Sequence, residues 1–345
     1  VSSDTKEALI SEDGMVEAEK ARFSLEPMIK TANRLINHSN VRPEQGMGYP
    51  GYTGDYACLP SVEWKQDGIR FVTGVSSGGR PNDDSELYIG YWFENISAEP
   101  QELEFYLLLR PFQVNPYYQF LNTVGGVGRI MSVREISKGL ISVDGKPVRL
   151  TEAYESFGAS KFDEGNQVEM IRRGEMPVSP GVTDPSGMAG AIVKYRIKLE
   201  PGESKELFAV IPYHSVIGES SGPEAGENPP QVIRAESLAE GGALHMLPQT
   251  TAEAREKFFA SADYWNKRTG HIRFDLPPSA DRLIDTWRSN LAYILINRDM
   301  AGIQPGSRSY DRSWIRDGSL TSSALLKSGI VTEVKEFIEW YAANQ

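Results

Sequence analysis

Ser309-Tyr310-Asp311-Arg312-Ser313-Trp314-Ile315-Arg316-Asp317-Gly318 packs two aromatics, two arginines and two aspartates into ten residues. Helical patterns flank it on both sides. Asp317 stands where a helix N-cap would stand, ahead of Ser319-Leu320-Thr321. Loops held by helix ends are where binding chemistry concentrates. Aromatic rings beside carboxylates and guanidinia suit a polyol with flat apolar faces. The ring covers C–H groups, while Asp and Arg bond hydroxyls.

Working outward, the segments downstream of residue 249 read as helices. Thr250-Thr251-Ala252-Glu253 is a capping box. The helix behind it carries Phe258, Phe259, Ala262 and Trp265 and stops at Gly270. Pro277-Pro278 breaks the chain, and Ser279 is the expected cap of the next helix. There Leu283, Ile284, Trp287, Leu291, Ile294 and Leu295 form one apolar stripe. A third helix is predicted from about Gly318 to Lys327, ending at Gly329. A fourth carries Val334, Phe337, Ile338 and Tyr341 on one face.

Upstream, from about residue 41 to 215, the texture is different. Short runs rich in aromatic and β-branched residues recur between turn signals. Strands are predicted at Ile69–Val75, Glu86–Glu94, Glu102–Leu109, Arg129–Arg134, Leu140–Val143, Val148–Leu150, Ala191–Leu199 and Glu206–Ile211. Asp144-Gly145 is a two-residue hairpin signal, and Pro201-Gly202 is a turn. Many strands without intervening helices indicate a large antiparallel β-sandwich. Residues 1–40, with Glu, Ala and Lys dominating Glu17–Arg22, read as an N-terminal helical leader.

Two stretches lack regular pattern. Arg42–Pro60 carries Tyr49, Tyr52 and Tyr56 among glycines. Pro111–Gly128 carries Phe112, Tyr117, Tyr118 and Phe120, then Gly125-Gly126-Val127-Gly128. Such loops line a groove or, the preferred reading, pack onto a neighbouring domain. The glycine cluster lacks the Lys-Ser/Thr of a phosphate cradle. Gly218–Pro230 is a polar Gly/Pro loop whose Glu219, Glu224 and Glu227 read as solvated charge.

The aromatic, three residues, then Trp-x-Arg-Asp running into an Ala/Leu-rich helix resembles the glucoamylase-like branch of the six-hairpin glycosidases. The match continues through Leu320, Ala324, Leu325, Leu326 and Gly329 to Glu336-Phe337-Ile338-Glu339-Trp340, and covers residues 250–345. The resemblance implies a mainly β, then α chain. Residues 41–248 would form the sandwich and 249–278 a linker helix. Residues 279–345 would be the first helices of an (α/α)6 barrel whose remaining hairpins are not in this sequence. It implies an inverting glycoside hydrolase acting on glucosides or related glycans. A glycoside phosphorylase of the same architecture and a non-catalytic carbohydrate-binding sandwich are the alternatives. By position, Asp317 would bond hydroxyls of the sugar at the cleavage point with Arg316 as its charged neighbour, and Tyr310 and Trp314 would wall the pocket. Each also has a plainer role: Trp314 in a core, Arg316 paired to Asp317, Asp317 as a cap. Asp311 and Arg312 read as an exposed pair. Inversion needs two carboxylates about 6.5–9.5 Å apart. In the resembled family these sit on later hairpins, so no catalytic residue is placed here.

Bulk properties narrow the partners. The 345 residues have 40% hydrophobic and 24% charged content, which is globular. A net charge of −11 argues against duplex nucleic acid as a partner, since its phosphate backbone would be repelled. The expected partner is an oligosaccharide or polysaccharide, with no cofactor. Cys58 is the only cysteine, and His38, His214, His245 and His271 are scattered, so no metal site is expected. No apolar run reaches a membrane span. The sequence starts at Val1 without a signal peptide, as a processed or partial product would. The compartment reading leans to periplasmic or secreted. Unpartnered helical stripes lead to the expectation of an exposed apolar face through which the chain would associate.

Overall fold

The structure is a computed structural model that describes residues 1–54, 56–119, 125–217, 231–233 and 247–344. Gly218–Pro230 with its three glutamates, Phe120 and His245 lie outside the described residues.

Among the described residues, two antiparallel sheets face each other. The first has seven strands, in the order Leu9–Ile10, Val16–Glu17, Ser24–Lys30, Gln101–Arg110, Gly190–Leu199 and Ser156–Ser160, with Leu35–Ile36 pairing Ser24–Lys30. The second has nine, in the order Gly181–Thr183, Ser132–Ser137, Leu140–Val143, Lys146–Leu150, Ser204–Pro212, Glu86–Asn95, Ile69–Gly78, Ser61–Gln66 and Glu44–Gly46. Asp144 and Gly145 both take positive φ, at 48° and 82°, as a two-residue hairpin turn requires. The Pro201-Gly202 turn, closed by Glu203 N–H on the Glu200 carbonyl at 2.9 Å, carries the chain from one sheet to the other. The predicted strands thus form, most with ends displaced by one to three residues. A short parallel pair, Ser215–Ile217 with Gln231–Ile233, lies outside the sandwich sheets.

Alternate side chains of each strand meet in the core between the sheets. Phe105 packs at 4.9 Å from Phe93, and Phe93 at 5.0 Å from Phe71. Gln101–Arg110 is apolar on both faces because both are covered. Leu103, Phe105, Leu107 and Leu109 face the core. Tyr106 and Leu108 lie under helix α1 (Gln167–Arg173) through Ile171.

The N-terminal forty residues are not a helical leader. They form four short strands that complete the first sheet. Ala18 N–H bonds the Phe23 carbonyl at 3.0 Å, and Ala21 has a φ of 56°, so residues 18–23 form a turn between strands. Composition favours helix there, but Glu17 and Glu19 are buried against partners outside the segment. Glu19 meets Lys146 at 2.9 Å and Lys6 at 3.0 Å. Burial opposes its ionisation, but Lys146, Lys6 and Arg22 hold it at about 2.

Helix α2 (Thr251–Thr269) starts at the expected capping box and lies on the outer face of the nine-stranded sheet. Phe258 packs 4.8 Å from Tyr49, whose ring sits over Gly74 and Gly90, paired across two strands where any Cβ would collide with it. Tyr52 contacts Phe259 and bonds Asp263, and Tyr56 bonds Ser289 at 2.7 Å. The three tyrosines of Arg42–Pro60 therefore seat the helices on the sandwich.

Three helices follow: α3 (Asp281–Ile296), α4 (Ile315–Lys327) and α5 (Thr332–Ala343). The cap of α3 is Ala280, after a turn of 3-10 helix at Pro278–Ala280, and not Ser279. Trp265 of α2 joins Leu291, Leu295, Leu325, Val334 and Phe337 in one cluster. The outer faces stay open: Leu283, Leu320, Val331 and Ile338 are each more than half exposed. No described helix is long and apolar enough to cross a membrane.

Candidate functional site

The 309–318 stretch spans the end of the connection from a small hairpin, Arg298–Asp299 with Gly302–Ile303, into α4. Its foundation is Arg308, which is buried. Its Nε donates to Glu17 Oε1 at 3.0 Å, and its other nitrogens to the Ser307 and Glu7 carbonyls at 2.8 and 2.9 Å. Glu17 has no solvent exposure, and its second oxygen accepts from Val114 N–H at 2.9 Å. One carboxylate therefore joins the motif loop to the aromatic sandwich loop. Lys20 pairs with Asp311, so Asp311 is tied to the sandwich. Asp299 accepts from Gln304 at 2.9 Å. Burial, then the nearby Asp299, pushes Glu7 up to about 8. Burial also raises Asp299.

On this base stand the predicted residues. Tyr310 and Trp314 meet at 5.9 Å with planes 61° apart. The Arg312 guanidinium lies 5.4 Å from the Trp314 ring, a cation–π contact. Tyr310 is 58% exposed and Trp314 half-buried, so the two form an open aromatic wall and Trp314 is not core.

Trp314, not Asp317, is the N-cap of α4, and Asp317 is the third residue of the first turn. Its charge there complements the helix dipole. Arg316 is exposed and Asp317 half-buried, and no salt bridge joins them among the described residues. Among the described residues, neither side chain takes part in a hydrogen bond or an ion pair. Gly318 is buried, and a Cβ there would collide with the Phe337 ring. That close approach of α4 to α5 requires a glycine after Arg-Asp.

Sequence reasoning missed Glu17 and Arg308. Their side chains meet across 291 positions, and nothing local marks either one. Among the described residues, no group of three or more His, Cys, Asp and Glu could hold a metal ion. The described histidines make ordinary hydrogen bonds: His38 with Glu26, His214 with Asp4, and His271 with the Ser328 carbonyl. A cleft of about 640 Å³ lies elsewhere, between Ser77–Gly79, Glu86, α2, Arg298 and Glu336, and none of the four predicted residues lines it.

No protein-family model matches the sequence, and no curated protein does. A bacterial glucoamylase solved with acarbose shares the fold over 99% of this chain and 48% of its own, with a TM-score of 0.60 and 10% identity. A candidate kojibiose phosphorylase from the human microbiome aligns over 96% of this chain and 42% of its own, at 10% identity with a TM-score of 0.48. The chain thus spans about half the length of these solved structures or less. At such identity the glucoamylase likeness concerns the fold: a mainly β part followed by helices.

Proposed function

We propose that the chain is the sandwich and first-hairpin part of a carbohydrate-active enzyme of the six-hairpin type, acting on α-linked glucosides or related glycans. Tyr310, Trp314, Arg316 and Asp317 hold one sugar ring. The observation that carries this is the open Tyr310–Trp314 wall beside the uncommitted Arg316 and Asp317. Trp314 covers the C–H face of the ring, Tyr310 closes its side, and Asp317 accepts two hydroxyl hydrogen bonds.

The reaction is hydrolysis with inversion. Acid and base lie outside these residues, on further hairpins that seat against the open faces of α3, α4 and α5. Residues 41–248 with the N-terminal strands form one domain, 249–278 the linker, and 279–345 the start of the helical domain. The single-ring site is tested by titrating the chain with maltose while following tryptophan fluorescence. Trp314→Ala and Asp317→Asn are expected to abolish the signal and the binding, respectively. Unchanged maltose affinity in Asp317→Asn would remove the reading.

A further inference from the structure

The glycine cluster of the sandwich loop finds its reason in the turn it supports. Gly126 N–H bonds the Asn115 carbonyl at 2.7 Å, Gly128 N–H bonds Pro111, and Phe112 bridges Val127. A Cβ at Gly125 would collide with the Pro116 carbonyl, and one at Gly128 with the Arg22 carbonyl. Glycines let the returning arm press directly on the outgoing one. The outgoing arm then turns at Pro116–Gln119, closed by Gln119 N–H on the Pro116 carbonyl at 2.9 Å. Tyr117 and Tyr118 occupy the two central positions.

Both rings are thrust into solvent. Tyr117 is 78% and Tyr118 63% exposed, and they meet edge to face at 5.5 Å and 79°. Two large side chains on a tightly braced turn, facing outward, forgo the burial that aromatic residues usually gain. Their place in the fold says what covers them. Val114 and Arg308 bind the two oxygens of the same Glu17 carboxylate. Tyr117 is three residues beyond Val114, and Tyr310 two beyond Arg308. That leaves at most about 11 Å of chain on one side and about 7 Å on the other.

We propose that Tyr117 and Tyr118 form an outer sugar-binding platform that takes the continuing residues of a neutral oligosaccharide whose end ring sits at Tyr310–Trp314. This deepens the sugar-site reading and rests on it. Glu17 is the positioning residue that keeps platform and inner site in register. The overall charge of −11 disfavours an anionic glycan. Stacking on Tyr rings needs no charge and tolerates many sugar faces.

The test compares maltose with maltopentaose on the full chain, by calorimetric titration of wild type, Tyr117→Ala/Tyr118→Ala, Tyr117→Phe/Tyr118→Phe and Asp317→Asn. Wild type is expected to bind maltopentaose about tenfold tighter than maltose, the size two ring contacts supply. The double alanine variant should lose that gain and keep maltose affinity. The double phenylalanine variant should retain most of it. Equal affinity for both lengths in wild type, or a length gain that survives the double alanine change, overturns the platform. No binding of either sugar sinks the inner site and the platform together. If Asp317→Asn leaves maltose binding intact while the alanines remove the length gain, the platform stands and the inner-site reading falls.

Discussion

Changing Glu17 to Gln tests the join between the sandwich and the motif loop. Glutamine keeps the size and one acceptor, but its NH2 must face either Arg308 Nε–H or Val114 N–H, donor against donor. One buried donor is then left unpaired, at about 1–3 kcal/mol. The buried Arg308 guanidinium also loses its counter-charge, and breaking such a pair from one side costs about 3–5 kcal/mol. Arg308 keeps its bonds to the Ser307 and Glu7 carbonyls, which places the total near the lower end, about 3 kcal/mol. The assay is urea unfolding followed by circular dichroism on wild type, Glu17→Gln, Arg308→Met and the double variant. Removing both charges leaves no uncompensated ion, so the double variant should be less damaged than the sum of the singles, with a coupling of about 2 kcal/mol. A single-variant loss under about 0.5 kcal/mol, or additive losses, would refute the idea that this carboxylate organises the two loops.

On the proposed function, Asp317→Asn in an enzyme containing this chain should lower catalytic efficiency about a hundredfold, through loss of charge-assisted hydroxyl bonds. Because Asp317 lies inside the first turn of α4, its melting temperature should fall only slightly, by the dipole contribution alone; a large fall with full activity would mark a purely structural residue. Glu7 is raised from its ordinary 4.5 to about 8 in the folded chain, so it binds a proton there that the unfolded chain has released. Its contribution to stability is complete below 4.5 and is lost as pH rises through about 8, so unfolding free energy measured against pH should fall over that window in wild type, and more weakly in Glu7→Gln. Parallel profiles for the two proteins would contradict this. Gly318→Val forces a side chain into the Phe337 ring and should destabilise the helical part by about 1–3 kcal/mol, read as an earlier unfolding transition; unchanged stability would mean that α4 and α5 can separate freely.

Local chemistry and periodicity were enough for much of this chain. Leu140–Val143 and the Asp144-Gly145 turn follow from β-branched alternation and from residues that accept positive φ. The capping box marks the start of α2 because both of its bonds close within four residues. Tyr310 and Trp314 were legible as a pair of neighbouring aromatics, but it is the turn closed by Arg312 N–H on the Tyr310 carbonyl that precedes their contact. Glu17–Arg22 went the other way. Its composition favours helix by propensity, which is worth only tenths of a kcal/mol per residue. The buried partners Lys146 and Arg308 and the strand Ser24–Lys30 outweigh it, and they lie from a few to almost three hundred residues away.

The same division runs through the site. Residue types and spacing within ten positions singled out Tyr310, Trp314, Arg316 and Asp317 as the proposed sugar contacts. The tertiary structure alone decided that Trp314 caps α4, that Asp311 turns to Lys20, and that Gly318 lets Phe337 close against the helix. It also decided that Glu17 ties Val114 of the sandwich loop to Arg308 of the motif loop. A hydrogen bond or an ion pair depends on distance in space, and distance along the chain carries no trace of it once the separation exceeds a turn or a hairpin.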